Sequence, residues 1–197
     1  MVEIIKQELL DIIEYEKIRD VYRKDIITYK KNRRISLGPN VTLVFENKKT
    51  LIFQIQEIMR AERLVHDNQI QNEIDVYTSI LPPKDGLSAT LFLEITEEKK
   101  IRTVLDSFIG LSLGNSIYFQ IGNIKKNAIF EAGREKDDNI SSVHYIKFKF
   151  DQNFLFDFKD KNKKVSLVIE HNKYNYSIEL LNGIRDSLIN DLEEIFE

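Results

Sequence analysis

The side chains best placed to do chemistry lie in the segment QIQEIMRAERLVH, residues 54–66. Its apolar residues recur with the 3.6-residue spacing of a helix. Glu62 and His66 are four residues apart, so a helix brings them side by side. They could share a divalent metal ion, or Glu62 could orient His66 as a general base. The alternative is that the helix ends near Val65, which leaves His66 in solvent and Glu62 paired with a cation.

A second group on this segment is rich in hydrogen-bond donors. Gln56, Arg60 and Arg63 form a stripe on the flank of the predicted helix. Arginine binds carboxylate and phosphate through two parallel hydrogen bonds, so the stripe could hold an anion or an acidic partner. Alternatively, the guanidinium groups pair within the chain and join a helix to a sheet. The acids nearest for such pairs are Glu46, Glu57 and Glu62.

Two further histidines lie far along the chain from this segment. His144 falls in SSVHYIKFKF, where strand alternation places it with Ile146 and Phe148 on the core side. A histidine in that position is more often hydrogen-bonded than bound to a metal ion. A metal-dependent enzyme or metal sensor therefore requires residues from several elements to converge. Its candidate ligands are Glu62, His66, His144 and His171.

Composition excludes several kinds of chemistry. The 197-residue chain has no cysteine, which removes disulfides, thiolate zinc sites and a thiol nucleophile. It also lacks a glycine-rich phosphate loop, and its serines lack the strand-turn-helix context of a hydrolase nucleophile. We therefore predict no cofactor, and a bound divalent metal ion stays open as the alternative.

Charge and hydropathy favour a cytoplasmic protein without a membrane anchor. The formal net charge is -3, and no window approaches the roughly 20 apolar residues of a membrane span. The basic run at 30–34 resembles an arm that contacts RNA, which makes an RNA-associated protein a weaker alternative. Acidic residues in 186–197 offer those cations a counterpart within the chain or between subunits, so nucleic-acid binding is not favoured.

The elements that must position these side chains begin with a helical arm. Residues 3–14 and 15–33 have the apolar spacing of helices, and Gly38 then favours a chain reversal. No repeat or linker divides the sequence. We therefore predict a single domain, 1–197, made of a helical arm (1–34) and an α+β body (35–197).

Three tyrosines mark one face of the arm. Tyr15, Tyr22 and Tyr29 recur every seven residues. Such spacing suits a contact between two helices. It permits a homodimer, and it is explained equally well by a helix contact within one chain.

The body is predicted to be rich in strands. Residues 41–45 are β-branched and aromatic, and 50–53 are expected to pair back across a polar turn before a helix that runs to about 65. Further helices are predicted at about 69–80, 97–110, 154–158 and from 180. Further strands are predicted at 87–96, 116–121, 128–131, 142–150 and 165–170. Short polar turns favour antiparallel pairing, so the expected fold is α+β, a mostly antiparallel β-sheet packed by helices.

Several long motifs carry a family resemblance. YKKNRRISLGP, VTLVFENKKTLIFQIQEIMRAER, LSATLFLEI and SSVHYIKF resemble one uncharacterised bacterial family, a domain of unknown function of about this length. The resemblance covers most of the chain and implies no established activity. It does imply a context, because genes of the family often neighbour those of a rubrerythrin-like protein and of a protein with heterodisulfide-reductase-like iron–sulfur segments.

The first functional hypothesis combines that context with the donor-rich stripe. It describes an accessory or binding protein of an electron-transfer or oxidative-stress system, which contacts a partner or an acidic ligand. The contact surface, called the Arg/Gln/Glu surface below, comprises Arg33, Arg34, Glu46, Gln54, Gln56, Glu57, Arg60, Glu62 and Arg63. All but Arg63 match the polar pattern of the family. The expected partner is the rubrerythrin-like or the iron–sulfur protein.

Overall fold

The computed structural model describes residues 3–133, 135–136 and 139–194. These residues form six α-helices and ten strands, which confirms the α+β fold. The helices are α1 (Ile12–Lys31), α2 (Lys48–Glu62), α3 (Asp67–Thr78), α4 (Ile101–Asp106), α5 (Gln152–Lys159) and α6 (Asn182–Glu194). The strands are β1 (Arg34–Leu37), β2 (Val41–Glu46), β3 (Gly86–Leu93), β4 (Ile117–Ile121), β5 (Ile124–Phe130), β6 (Glu135–Lys136), β7 (Asn139–Ile140), β8 (Val143–Lys149), β9 (Ser166–His171) and β10 (Tyr174–Glu179).

Eight of the strands form one antiparallel sheet in the order β1-β2-β3-β8-β5-β4-β9-β10. In the β2–β3 ladder Glu46 lies opposite Ser88 and Val44 lies opposite Thr90, and in the next ladder Thr90 lies opposite Tyr145. Because side chains alternate between the faces of a sheet, this register gathers polar residues on one face of the central strands.

The sheet curls until its two edge strands approach each other. The hydroxyl of Tyr174 on β10 donates to the Leu37 carbonyl at 2.6 Å and accepts the backbone N–H of Val41 at 3.1 Å. Between those two residues Gly38 has φ +78°, and a Cβ there would lie 2.6 Å from the ring of Tyr176. The turn after β1 therefore requires glycine, and the tyrosine hydroxyl fastens one edge of the sheet to the other.

Two hydrophobic clusters occupy the two faces of the sheet. The larger lies inside the curl, where strand residues such as Phe119 and Phe148 pack with α5 and α6 through Phe154 and Leu188. The smaller lies outside and joins α2 and α3 to the N-terminal segment, with Tyr145 of β8 packed against it. The helix that carries the candidate chemistry therefore lies on the outer, polar face of the sheet.

The expected strand at 50–53 is wrong, because a helix begins there. The Asn47 side chain accepts the backbone N–H of Thr50 at 3.1 Å, and the Thr50 hydroxyl accepts the backbone N–H of Asn47 at 3.0 Å. This reciprocal cap satisfies donors that an uncapped first turn leaves open. The chain therefore passes directly from β2 into α2, which ends at Glu62 rather than near Val65.

The arm differs from its predicted extent at both ends. Before Asp11 the described chain holds only a short 3₁₀ turn at Lys6–Glu8, and α1 starts where Asp11 accepts the backbone N–H of Glu14 at 2.8 Å. At the other end the helix stops at Lys31, and Arg34 already belongs to β1. The arm therefore contributes its last residue, Arg34, to the sheet.

The three tyrosines of α1 face α2 of the same chain. Tyr15 donates to Glu57 at 2.7 Å, and the ring of Tyr22 meets Phe53 edge-on at 5.8 Å between centroids. Tyr29 accepts the amide of Asn47 at 2.7 Å. Their spacing is thus explained by a contact within the chain. In the described part, neither α1 nor any other helix is long and apolar enough to cross a membrane.

Candidate functional site

Gln56, the first residue of the donor-rich stripe, holds the N-terminal segment in place. Its side chain is buried. The amide oxygen accepts the backbone N–H of Leu10 at 2.6 Å, and the amide nitrogen donates to the Leu10 carbonyl at 3.1 Å. Because both ends of the amide bind one residue of the same chain, Gln56 is a structural clamp.

Two arginine–glutamate pairs tie α1 to α2. Arg19 donates to both oxygens of Glu57 at 2.8 Å, beside the hydroxyl of Tyr15. Arg60 donates to Glu16 at 2.5 and 3.1 Å. Of the two arginines of the stripe, Arg60 therefore does pair within the chain, although its partner Glu16 lies on α1 and is not one of Glu46, Glu57 and Glu62. Burial and the adjacent Glu57 carboxylate raise the pKa of Tyr15, so this hydroxyl stays a donor.

Replacing Glu57 with Gln should lower the free energy of unfolding at neutral pH by roughly 1 kcal/mol, since the 28% exposed side chain is partly screened by water. Hydrogen bonds from Arg19 and then Tyr15 lower the pKa of the Glu57 carboxyl below its ordinary 4.5, against the opposing effect of burial. A lowered pKa in the folded state stabilises the fold above the unfolded-state pKa, and that stabilisation is lost as pH falls through the folded-state value.

Urea unfolding should therefore show that the free energy of unfolding of wild type exceeds that of Glu57→Gln by a constant amount from about pH 7 to 5. This difference should shrink below about pH 4. Glu97→Gln is the matched control, because Glu97 bonds Lys100 at 2.7 Å and its side chain is 64% exposed. A difference for Glu57→Gln that grows on acidification would contradict this assignment.

Glu46 is the centre of a buried polar cluster on the outer face of the sheet. Its side chain is 2% exposed. It accepts the hydroxyls of Thr50 at 2.5 Å and Thr90 at 2.9 Å, and the amide of Gln54 at 3.1 Å. The Lys30 ammonium lies 3.7 Å away and supplies the opposite charge. The carboxylate is thus satisfied from β3, α2 and the end of α1, which joins these three elements.

Arg33 and Asp191 form a second buried polar cluster beside the first. Arg33 is fully buried; it donates to both oxygens of Asp191 and to the Phe45 carbonyl, the latter at 2.9 Å. Asn47 adds an amide donor to Asp191 at 2.8 Å. The acidic C-terminal helix therefore does supply a partner for the basic run at 30–34. Because Arg33 is buried in this pair, the run has one cation fewer at the surface.

Arg34 is the exposed neighbour of that buried arginine. It points away from the core, since successive residues of β1 alternate between exposed and buried. Its guanidinium donates to Glu94 at 2.5 Å, and both side chains are almost half exposed. Such a surface ion pair contributes little to stability. Arg33 and Arg34 therefore have separate environments despite being adjacent in sequence.

The structure separates the candidate metal ligands. Glu62 and His66 are exposed, because α2 ends at Glu62 and His66 precedes α3. His144 is buried on β8, and its Nε2 lies 2.8 Å from the Ser141 carbonyl. His171 is buried on β9, stacked on Phe108. Within 3–133, 135–136 and 139–194, no three His, Asp or Glu side chains are grouped as a metal site.

One part of the Arg/Gln/Glu surface remains open to a partner. A shallow groove of about 880 Å³, called the α1–α2 groove below, lies between the start of α1 and the end of α2. Ile13 and Val65 are 72% and 65% exposed in it. It is lined by Ile12, Ile13, Glu16, Lys17, Arg60, Ala61, Arg63 and Val65.

Arg63 has an uncommon backbone conformation at the edge of this groove. It ends α2 with φ 55° and ψ 44°, in the left-handed region. Helices usually end this way on glycine or asparagine, and other residues adopt the conformation at a cost of order 1 kcal/mol or more.

Among the residues predicted from sequence, Arg60 and Arg63 are brought together in the α1–α2 groove. Lys17, Ile13 and Val65 were not predicted as site residues. Ile13 and Val65 were missed because nothing in a helical pattern marks an apolar residue as exposed.

Comparison with known proteins bears on the identity of the chain. The model of a family described as a protein of unknown function, DUF3501, matches residues 3–192. The chain belongs to the DUF3501 family. This confirms the resemblance carried by its sequence motifs, whereas the gene neighbourhood that the resemblance implies stays a prediction. A comparison of this DUF3501 chain with curated proteins gave no match.

The DUF3501 chain also resembles a solved structure over nearly its whole length. That structure is the crystal structure of a novel protein of unknown function from Burkholderia pseudomallei K96243 at 1.90 Å resolution. The TM-score is 0.89 at 26% sequence identity, and the match covers 97% of this chain and 100% of that chain. Since neither the DUF3501 description nor this structure names an activity, function must be argued from the side chains themselves.

Proposed function

We propose that the protein is a cytoplasmic accessory protein that docks onto a redox partner through the α1–α2 groove. The observation that carries the proposal is the exposure of Ile13 and Val65 in one groove. Large apolar side chains gathered on a surface and rimmed by polar residues mark interaction sites. The groove shares Arg60 and Arg63 with the surface predicted from the sequence.

The charges of the groove favour an acidic partner. Three cations, Lys17, Arg60 and Arg63, line it together with one carboxylate, Glu16. Glu16 is engaged by Arg60, and this bond also lowers the pKa of the Glu16 carboxyl. The excess of positive charge suits a partner whose own apolar patch is rimmed by Asp and Glu, since complementary charges speed association and suppress wrong partners.

The redox context supports the choice of partner. The resemblance to the DUF3501 family implies gene neighbours of the rubrerythrin and iron–sulfur kinds. Without cysteine, this chain cannot supply thiolate ligands to an iron–sulfur cluster. An accessory role, in which the partner carries the electron chemistry, fits that composition.

Replacing Arg60 with Glu should weaken binding to the purified iron–sulfur or rubrerythrin-like neighbour by at least about tenfold. The substitution reverses one of the positive charges that line the groove and complement an acidic partner. Val65→Asp should weaken binding by a similar factor, since it places a charge in the apolar centre. Biolayer interferometry with defined concentrations of each neighbour measures both effects.

Each variant has a matched control elsewhere on the surface. Arg102→Glu makes the same charge change at a side chain that is 91% exposed, and Val76→Asp changes a valine that is 56% exposed on α3. Both controls should bind as wild type does, and all four variants should keep the wild-type circular dichroism spectrum. Equal binding by Arg60→Glu, Val65→Asp and the controls would overturn the proposal.

A further inference from the structure

A second and larger groove lies beside α3. It runs between the N-terminal segment, α3 and the Pro82–Pro83 turn, and its volume is about 1030 Å³. This is the size of a site for a small organic ligand. The floor of this α3 groove is apolar, because the nearly buried side chains Ile4, Ile74 and Leu81 line it.

The groove contains a buried hydroxyl that has no partner. Thr78 is the last residue of α3 and lines the groove. Its Oγ1 atom is buried and finds no hydrogen-bond partner among the residues described in the structure. A buried polar group left unsatisfied is costly, and such groups in native proteins call for an explanation. A ligand that accepts this hydrogen bond would supply one.

A lysine that lines the same groove bonds the residue after Thr78. Lys147 on β8 lines the groove, is half-buried, and donates to the Ser79 carbonyl at 2.7 Å. Since Ser79 directly follows Thr78, the bond holds the ammonium beside the residue that carries the hydroxyl. An ammonium group has three N–H donors, and the described residues account for one of them in Lys147.

The surroundings of Lys147 favour an anion. Burial, and then the like charge of Lys149, lower the pKa of Lys147, against an opposing effect of Glu131. Lys84 is exposed and lines the same groove. Of the two acids in the lining, Asp75 already accepts the amide of Gln71 at 2.8 Å. A carboxylate beside Lys147 would offset the repulsion between Lys147 and Lys149. It would also accept hydrogen bonds from the remaining N–H groups of the Lys147 ammonium.

We propose that the α3 groove binds a small amphiphilic carboxylate, whose anionic group contacts Lys147 and Thr78 and whose aliphatic body packs on the apolar floor. The site is separate from the α1–α2 groove and does not depend on partner docking. The floor supplies affinity through burial of apolar surface, and the lysine with the hydroxyl selects an ionised carboxyl group over an uncharged one.

Isothermal titration calorimetry with octanoate tests this site, with octan-1-ol as the uncharged probe. We expect saturable binding of one octanoate per chain, and binding of octan-1-ol at least about tenfold weaker. Lys147→Gln should weaken octanoate binding by a similar factor, whereas Lys164→Gln, at a side chain that is 82% exposed, should leave it unchanged.

Thr78→Val gives an independent reading should Lys147→Gln fail to fold, because it removes the hydroxyl and keeps the shape of the side chain. It should weaken octanoate binding about threefold or more while leaving octan-1-ol binding unchanged. Absence of saturable binding, equal affinity for octanoate and octan-1-ol, or wild-type affinity in both variants would overturn the proposal.

Discussion

Replacing Asp191 with Asn should lower the free energy of unfolding by roughly 3–5 kcal/mol, because it leaves the Arg33 guanidinium buried without a negative charge. Arg33 and Asp191 are 0% and 2% exposed, so water cannot take the place of the lost charge. The pair also joins the turn between α1 and β1 to α6. For a protein of this size, such a loss lowers the melting temperature by roughly 6–20 °C.

Urea unfolding measures the effect, and the same helix offers a control. Asp186 also lies on α6 and pairs with Lys161, but its side chain is 56% exposed. Asp186→Asn should change the free energy of unfolding by less than about 0.5 kcal/mol. The double variant Arg33→Met, Asp191→Leu should recover much of the loss, since it removes both buried charges together. Equal effects of Asp191→Asn and Asp186→Asn would refute the buried ion pair.

Truncating Phe119 to Ala should be equally destabilising, by roughly 3–5 kcal/mol. Phe119 is fully buried on β4. Its ring lies 4.7 Å from Phe148 and 5.6 Å from Phe158, measured between centroids. These partners belong to β8 and α5, so the cavity would open where sheet and helix meet inside the curl.

An exposed phenylalanine provides the comparison for this truncation. Phe156 on α5 is 74% exposed, and Phe156→Ala should cost less than about 0.5 kcal/mol. Thermal unfolding followed by circular dichroism distinguishes the two variants. A small change for Phe119→Ala would mean that the ring is not part of the folding core.

The strands that the sequence predicts well are the buried ones. In β8, His144, Ile146 and Phe148 alternate with more exposed residues, and this pattern is visible in the sequence. The edge strand β10 was missed because most of its residues are exposed, so alternation leaves no mark. The strand expected at 50–53 failed for another reason: its β-rich composition is overridden by the cap that Asn47 and Thr50 form.

The chemistry of the polar residues was predicted less well than their location. The sequence places Glu57 and Arg60 on one predicted helix, but their partners are distant in the chain. Tyr15 and Arg19 lie 42 and 38 residues from Glu57, and Glu16 lies 44 residues from Arg60. Such pairs depend on how α1 packs against α2, which no local pattern contains. Glu46 was likewise selected as a polar candidate, whereas its partner Thr90 comes from β3 through strand register.

Amide hydrogen exchange tests the docking proposal most directly. It is measured on the chain alone and again on the chain saturated with the purified iron–sulfur or rubrerythrin-like neighbour. Segments that a partner covers exchange more slowly, and the measurement reports every segment at once. We predict slower exchange at 12–17 and 60–65, the two walls of the α1–α2 groove, with unchanged exchange around Val76. Formation of a complex that protects other segments and leaves these two unchanged, or no complex with either neighbour, would contradict the proposed function.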